Sequence, residues 1–189
     1  MKYPYNSTTQ LSPHFRANEF RCKCGKNHDT EINPSLVEKL EKIYTSLGCS
    51  KIIVTSGYRC PEHDKSAAVG GNGKGQHTLG TAADICCYGK DGKPISSKKV
   101  CCAAQDAGFM GIANITRDYI YTHVDVRSGA TKWLGDETVT TSYSVCSNFY
   151  DYYKLSKSDV YGTNVQAKRT KDIKITVDGI TYSGTLTEV

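Results

Sequence analysis

The chain has 189 residues, nine cysteines and a formal net charge of +5 at pH 7. This length predicts one compact domain with at most a small appendage. A hydrophobic fraction of 38%, with no apolar run close to the ~18 residues of a spanning helix, excludes a membrane protein. The odd cysteine number and the adjacent pairs Cys86-Cys87 and Cys101-Cys102 do not resemble a secreted disulfide scaffold, so we expect reduced thiols or a metal site.

The first ten residues, MKYPYNSTTQ, contain no apolar core segment and do not resemble a secretory signal. We therefore expect synthesis in the cytoplasm. The positive charge suits an anionic partner, but basic and acidic residues are interspersed and no nucleic-acid motif accompanies them. The sequence thus predicts no nucleic-acid partner, and it leaves the oligomeric state undefined.

The clearest predicted element is a helix that begins after Asn33-Pro34 and ends near Gly48. Asparagine before a proline is typical of a helix start, and glycine commonly follows a helix end. Between them, apolar residues recur every three or four positions and form one stripe: Leu36, Val37, Leu40, Ile43, Tyr44 and Leu47. The β-branched run at 51–55 then predicts a strand.

The next predicted feature is a long loop at 56–80, with five glycines between residues 70 and 80. A loop of this length inside a compact domain is usually functional. A short strand is predicted at 82–85, a helix capped by Ser96 or Ser97 follows, and a strand is predicted at 119–126. Alternation along that last strand puts polar side chains on one face, namely Tyr119, Tyr121, His123 and Asp125.

The composition changes near residue 137. Residues 137–172 are rich in Tyr, Ser and Lys and predict a connecting segment. In residues 173–189, Asp178-Gly179 separates two alternating β-branched runs, which is a strong hairpin signal. We therefore divide the chain into a main domain at 1–136, a connecting segment at 137–172 and a C-terminal β-hairpin at 173–189.

Two of the five histidines stand in sequences that suggest chemistry. His77 lies in GQHTLGTAAD, seven residues before Asp84, and His123 lies in THVDVR. Two imidazoles and one carboxylate are a familiar catalytic zinc set, which leaves the fourth metal position for water. Spacing alone leaves open whether these residues are ligands or ordinary polar residues of a loop and a strand.

Four segments of the chain resemble the D-alanyl-D-alanine carboxypeptidase family of zinc peptidases. This family includes dipeptidases of the vancomycin-resistance type and phage L-alanyl-D-glutamate endolysins. In family order, across roughly residues 12–135, the segments are His14-Phe15 to Glu19-Phe20-Arg21-Cys22, then Ser56-Gly57-Tyr58-Arg59, then Val69-Gly70-Gly71 through His77 to Asp84, and His123-Val124-Asp125-Val126-Arg127.

The resemblance implies an α+β fold of the hedgehog/DD-peptidase type, with a small antiparallel sheet and flanking helices, to which the C-terminal β-hairpin is added. It implies one catalytic Zn²⁺ held by His77, Asp84 and His123. It also implies that Arg59 polarises the scissile carbonyl or pairs with a substrate carboxylate, which suits a planar guanidinium. Further predicted substrate-binding residues are Tyr58, Gln76 and Tyr121.

Two positions depart from the family pattern. Gly75 stands where the metal motif usually has serine, and Ile120 stands where many members have a catalytic glutamate. Isoleucine cannot accept a proton, so Asp125 is the best remaining candidate for the general base. Alternatively, Asp125 orients His123 through the second ring nitrogen. The sequence does not decide between these two roles.

The implied activity is zinc-dependent hydrolysis of a peptide bond in the stem peptides of bacterial cell-wall peptidoglycan. The enzyme would act as a D-Ala-D-Ala carboxypeptidase or as an endopeptidase of the endolysin kind, at the wall after phage-type release. One alternative is a wall-binding or structural module that keeps the metal but lacks turnover, because of Ile120. Another is a cytosolic dipeptidase for free D-Ala-D-Ala.

The sequence Cys22-x-Cys24, together with His28 and Cys60, has three interpretations. It is a second, structural zinc site, or it contains a disulfide from Cys22 or Cys24 to Cys60, or its members are plain buried thiols. The one-residue gap is shorter than usual for a zinc site, which favours buried thiols.

Overall fold

The computed structural model describes residues 1–129, 132–141 and 143–162, and the backbone of residues 170–177 and 180–187. It contains short strands and helices in alternation. The strands are β1 (Lys2–Tyr3), β2 (Gln10–Ser12), β3 (Phe15–Arg16), β4 (Thr30–Glu31), β5 (Lys51–Ser56), β6 (Ala82–Tyr88), β7 (Gly111–Asn114), β8 (Thr122–Asp125), β9 (Trp133–Asp136), β10 (Thr170–Val177) and β11 (Ile180–Thr187). The α-helices are α1 (Pro34–Ser46), α2 (Pro61–Asp64), α3 (Ser97–Asp106), α4 (Phe149–Tyr153) and α5 (Lys157–Tyr161), and two 3₁₀ helices span Ala17–Phe20 and Gln76–Leu79.

A five-stranded sheet with the order β5-β6-β8-β7-β9 forms the centre of the molecule. Its neighbouring strands are antiparallel, except that β7 and β9 run parallel. One face of the sheet packs on α1 and α3 and contributes Ile85, Ile112, Val124 and Leu134, all of them fully buried, to the core. The predicted α+β class is therefore confirmed.

The helix predicted after Asn33 is α1. The Asn33 side chain accepts a hydrogen bond from the Ser35 backbone N–H at 2.9 Å, and Pro34 occupies the first helical position. Gly48 has φ +60°, the left-handed conformation in which a glycine commonly follows a helix. The apolar stripe faces the core, where Leu40 and Ile43 are completely buried. Both end signals and the stripe are thus confirmed.

Replacing Asn33 with alanine is expected to destabilise the protein by about 1 kcal/mol, because the Ser35 N–H loses its capping partner. In a chain of this size the melting temperature should fall by about 2–4 °C. Thermal unfolding of Asn33→Ala measures this, with Asn72→Ala in the exposed Gly-rich loop as the control. Equal melting temperatures for Asn33→Ala and the native chain would contradict the capping role.

Several boundaries differ from the sequence prediction. The loop predicted at 56–80 contains α2 and a 3₁₀ helix. Strand β6 extends beyond 85 to Tyr88, so Cys86 and Cys87 lie in the sheet. Conversely, β8 is shorter than the predicted strand at 119–126, because Tyr119 has φ +55°, a left-handed conformation that ends strand geometry.

Strands β7 and β9 were not predicted. Each has only four residues, GIAN and WLGD, and neither alternates clearly between apolar and polar side chains. Their pairing depends on tertiary contacts, since β7 pairs with β8 on one side and with β9 on the other, and β8 separates β7 from β9 in the sequence. Beyond β9, α4 and α5 pack on α3, and their residues Phe149 and Val160 join the same core.

The C-terminal strands β10 and β11 pair antiparallel in register from Thr170↔Thr187 to Val177↔Ile180. The hairpin predicted at 173–189 is therefore present and begins three residues earlier, while its predicted turn at Asp178-Gly179 lies outside the described residues. Within the described part of the chain, no helix has the length and apolar character needed to cross a membrane.

Candidate active site

The second face of the sheet carries a cluster of polar side chains. Asp84 in β6 lies opposite His123 in β8, and residues opposite one another on paired strands project to the same face. His77 comes from the 3₁₀ helix Gln76–Leu79, which leads into β6 through Gly80. Gly80 has φ +66°, and a side chain there would overlap the Glu31 backbone. The turn therefore requires glycine to bring His77 back over the strand that carries Asp84.

Three donor atoms converge at this point. His77 Nε2 lies 3.2 Å from His123 Nδ1 and 3.3 Å from Asp84 Oδ1, and His123 Nδ1 lies 2.9 Å from Asp84 Oδ1. Two ligand atoms at about 2.0–2.1 Å from a tetrahedral zinc ion lie about 3.3 Å apart. The triangle therefore fits zinc with small adjustments, and His77, Asp84 and His123 would supply three ligands to it.

The ring of His77 is oriented by the main chain. Its Nδ1 lies 2.7 Å from the Gly57 carbonyl oxygen, so Nδ1 carries the proton and Nε2 presents its lone pair to the other donors. Gly57 is held in turn by the segment that contains Phe20. The Tyr58 N–H donates to the Phe20 carbonyl at 2.8 Å, and a side chain at residue 57 would come within 2.6 Å of the Phe20 backbone.

Gly57→Ala is expected to destabilise the protein by about 1–3 kcal/mol, because backbone atoms cannot yield to the new methyl group as a side chain would. The shifted turn should also weaken zinc binding, since it moves the Gly57 carbonyl. Gly75→Ala is the matched control, because a side chain there meets nothing within 4 Å. Chemical denaturation and zinc titration of both variants measure the effects; equal behaviour would contradict this role for Gly57.

His123 lies between two carboxylates. Its Nδ1 faces Asp84, and its Nε2 lies 3.1 Å from Asp125 Oδ2. Burial disfavours the charged imidazole, but the hydrogen bonds with Asp125 and Asp84 outweigh burial and raise the pKa of His123 to about 9. Burial opposes ionisation of Asp84 as well, and its hydrogen bonds with His123 and His77 nevertheless hold its pKa well below the usual range.

Asp125 lies on the Nε2 side of the His123 ring, opposite the Nδ1 atom that converges with the donor atoms of His77 and Asp84. Asp125 is completely buried. Arg127 donates two hydrogen bonds to its carboxylate, from Nε at 2.8 Å and from Nη2 at 2.5 Å. Burial alone would raise the pKa of Asp125, but the hydrogen bonds from Arg127 and His123 lower it well below the usual range. This geometry suits the orienting role, because a carboxylate so enclosed has no open oxygen directed at the metal position.

Arg59 lies beside the donor triangle. Its Nη2 donates to Asp84 Oδ2 at 2.7 Å, and its Nε donates to Ser56 Oγ at 2.8 Å. Asp64 Oδ1 is 3.7 Å from Nη1. Arg59 therefore fixes the Asp84 oxygen that does not face the histidines, and Nη1 is the part of the guanidinium with the weakest protein contact.

A cavity of about 630 Å³ opens over this cluster. Its lining residues are Arg59, Ala68, Val69, Gly75, Gln76, His77, Asp84, Ile115, His123, Arg127, Trp133 and Glu137. Of the predicted substrate-binding residues, Arg59 and Gln76 thus lie in the wall, whereas Tyr58 and Tyr121 do not. Tyr58 instead places its ring edge against His28, with centroids 6.0 Å apart. Tyr121 directly precedes β8.

Glu137 is a cavity residue that the sequence analysis missed. It follows β9, and its N–H donates to the Asn114 carbonyl at 2.9 Å, which continues the β7–β9 pairing. Partial burial raises the pKa of its carboxyl, while the positive charges of His123 and Arg59 act in the opposite direction. No motif marks Glu137, because it reaches the site only through the parallel pairing of β9 with β7.

The arrangement defines a class of protein. The site combines two imidazoles and a carboxylate with a guanidinium and a carboxyl in the cavity wall. A metal-assisted hydrolase uses these groups.

The family model described as Peptidase M15 matches residues 13–125. The chain belongs to this peptidase family, whose members are generally zinc-dependent. No curated protein and no solved structure gives a significant match.

Proposed function

We propose that this protein is a zinc-dependent peptidase that hydrolyses a peptide bond in the stem peptides of bacterial cell-wall peptidoglycan. The observation that carries the proposal is the convergence of His77 Nε2, Asp84 Oδ1 and His123 Nδ1 within 3.3 Å of one another. Membership of the peptidase family M15 supports the reaction class.

A zinc ion held by His77, Asp84 and His123 would supply a Lewis acid that polarises a carbonyl and acidifies water. The residues of the chain prepare that site. The Gly57 carbonyl fixes the tautomer of His77, and Asp125 fixes the orientation of His123. Arg59 binds one oxygen of Asp84 and leaves the other for the metal.

We assign proton transfer to Glu137. A general base must be able to reach the attacking water from the cavity. Glu137 lines the cavity, whereas Asp125 is enclosed behind His123. A raised pKa, as partial burial gives Glu137, brings a carboxyl closer to the working pH, so it can take a proton and return it to the leaving amine.

Two arginines in the cavity wall favour a substrate with carboxylate groups. Arg59 and Arg127 both line the cavity, and Arg127 also lies over the Trp133 ring at 5.1 Å. Guanidinium groups bind carboxylates through paired hydrogen bonds. Stem peptides carry free carboxylates, and Nη1 of Arg59, whose nearest carboxylate oxygen is Asp64 Oδ1 at 3.7 Å, would pair with one of them or with the scissile carbonyl.

The test incubates the purified chain with peptidoglycan and, separately, with the dipeptide D-Ala-D-Ala, and it measures newly released amines. We expect release from peptidoglycan, loss of release when zinc is chelated, and recovery when zinc is restored. His77→Ala should abolish release. His14→Ala is the control, because His14 lies on the surface beside Glu41.

The outcome separates the candidate functions. Release from D-Ala-D-Ala but not from peptidoglycan would replace the wall enzyme with a dipeptidase. No release from either substrate by zinc-loaded protein would overturn the enzyme and favour a wall-binding module that retains the metal.

A further inference from the structure

A second group of metal-ligating side chains converges away from the cavity. Its members are Cys22, Cys24, His28 and Cys60, and one ligand atom of each lies within 4.8 Å of all the others. Sulfur atoms bound to one tetrahedral zinc ion lie about 3.8 Å apart, given a Zn–S distance of about 2.3 Å. Inward movements of about 1 Å at most would therefore close this group around an ion.

Each sulfur atom in the cluster accepts a backbone N–H. Cys22 Sγ accepts from the Cys60 N–H at 3.3 Å, Cys24 Sγ from Lys26 at 3.4 Å and Cys60 Sγ from His63 at 3.4 Å. Such donors stabilise thiolates, which are the form of cysteine that binds metal. Three thiols brought together with this pattern are better prepared for a cation than for simple apolar packing.

His28 is oriented as a ligand. Its Nδ1 lies 3.1 Å from the Asp29 carbonyl oxygen, which favours the tautomer protonated at Nδ1. Its Nε2 lies 3.0 Å from Cys24 Sγ and points into the cluster. This is the same device that orients His77 in the candidate active site, where a backbone carbonyl binds the ring nitrogen remote from the other donors.

The cysteines of the apolar core differ from those of the cluster in burial and surroundings. Four of them are almost completely buried in or beside the apolar core: Cys86, Cys87, Cys101 and Cys102. Cys24 and His28, by contrast, are only partly buried, and Cys24 meets polar groups. All nine cysteines lie among the described residues and are free thiols, so no disulfide accounts for the cluster.

We propose that Cys22, Cys24, His28 and Cys60 bind a structural zinc ion, distinct from the ion of the candidate active site. Three cysteines and one histidine are a complete structural zinc set, with no position left for a substrate or water. His63 is placed to support the site from outside, because its Nδ1 lies 3.2 Å from Cys22 Sγ.

The position of the cluster indicates the structural role of the proposed zinc ion. The cluster joins the segment after Phe20 to the turn Ser56–Cys60, because Cys22, Cys24 and His28 precede β4 whereas Cys60 directly follows Arg59. The same turn supplies the Gly57 carbonyl that orients His77. The structural ion would therefore hold Arg59 and Gly57 in place without touching the substrate.

Cobalt substitution tests the proposal separately from the peptidase activity. The candidate active site contains no sulfur ligand, so a thiolate-to-cobalt charge-transfer band in the full-length protein can arise only from cysteines. We expect this band in the native chain, and about two zinc ions per chain by elemental analysis under reducing conditions. Absence of peptidase activity in a protein that shows the band would contradict only the proposed function, and the structural zinc site would still stand.

Matched variants locate the band. Cys24→Ser and His28→Gln should lower the metal content from about two ions to about one and should weaken or shift the band. Cys146→Ser is the control for Cys24→Ser, because Cys146 is also partly buried but lies outside the cluster. His14→Gln is the control for His28→Gln, because His14 lies on the surface beside Glu41 and outside the cluster, and it should retain both ions.

Three results would overturn the proposal. The first is a reduced native chain that takes up cobalt without any thiolate band. The second is a band that Cys146→Ser abolishes and Cys24→Ser does not change. The third is a native mass two hydrogen atoms lower, with the missing thiols mapped to the cluster, since that is a disulfide. If Cys24→Ser fails to fold, the band of the native chain still decides.

Discussion

Glu137→Gln is expected to lower kcat by about 10²–10⁴-fold, because the cavity then lacks a group that accepts the proton of the attacking water. Glutamine keeps the size of the side chain, and the N–H bond to Asn114 involves only the backbone, so the fold should not change. Zinc affinity should also stay the same, since Glu137 is not one of the three converging donors. Steady-state kinetics on a soluble stem peptide and zinc titration measure both quantities.

The pH profile gives a second readout for Glu137. As the base, its carboxyl must be ionised, so activity should fall as the pH drops through its pKa, which partial burial raises above the usual glutamate value. This acidic limb should disappear from the residual activity of Glu137→Gln. Glu38→Gln is the control, because Glu38 lies on the exposed surface of α1. A variant with normal kcat and an unchanged acidic limb would remove Glu137 from the mechanism.

Asp125→Asn is expected to weaken zinc binding by about 10–100-fold while leaving kcat close to normal at saturating zinc. The physical reason is that Asp125 acts on the metal through His123. An asparagine cannot hold His123 and Arg127 together as the carboxylate does at 3.1 Å and 2.5 Å, and loss of such an orienting carboxylate typically has an effect of this size. A competition titration for zinc, followed by kinetics at high zinc concentration, separates affinity from turnover.

The two roles considered for Asp125 give opposite results in this experiment. If Asp125 were the general base, Asp125→Asn would lower kcat at saturating zinc and leave the zinc affinity unchanged. Asp118→Asn is the control, because Asp118 is an exposed residue of the loop before β8. A melting curve of each zinc-loaded variant checks that any loss of affinity does not simply reflect unfolding, since Asp125 is completely buried.

The sequence predicted the local elements whose signals lie close together in the chain. Helix α1 has its cap, its proline and its apolar stripe within 16 residues, from Asn33 to Gly48, and all were recognised. The three candidate ligands were also named from sequence, because His77 and Asp84 lie in one motif and His123 in another. Their convergence then follows from the pairing of β6 with β8.

What the sequence did not predict depends on contacts between distant segments. Strands β7 and β9 are too short for a periodic signal, and β9 brings Glu137 and Trp133 into the cavity wall only by pairing with β7. Both residues lie beyond residue 125, where the family match ends. Among the residues close to His123 in the sequence, Asp125 is the candidate base, whereas Glu137, which directly follows β9, lines the cavity.

The hydrogen bond between His77 and the Gly57 carbonyl has a consequence for variation in this protein. The acceptor is a main-chain atom, so no substitution at residue 57 can delete it; a change can only displace it by moving the turn. The tautomer of His77 therefore depends on the conformation of the backbone at residue 57. Residues that pack against this turn, such as Phe20, preserve that conformation. Two homologous chains could share every ligand and still differ in metal affinity because their turns run differently.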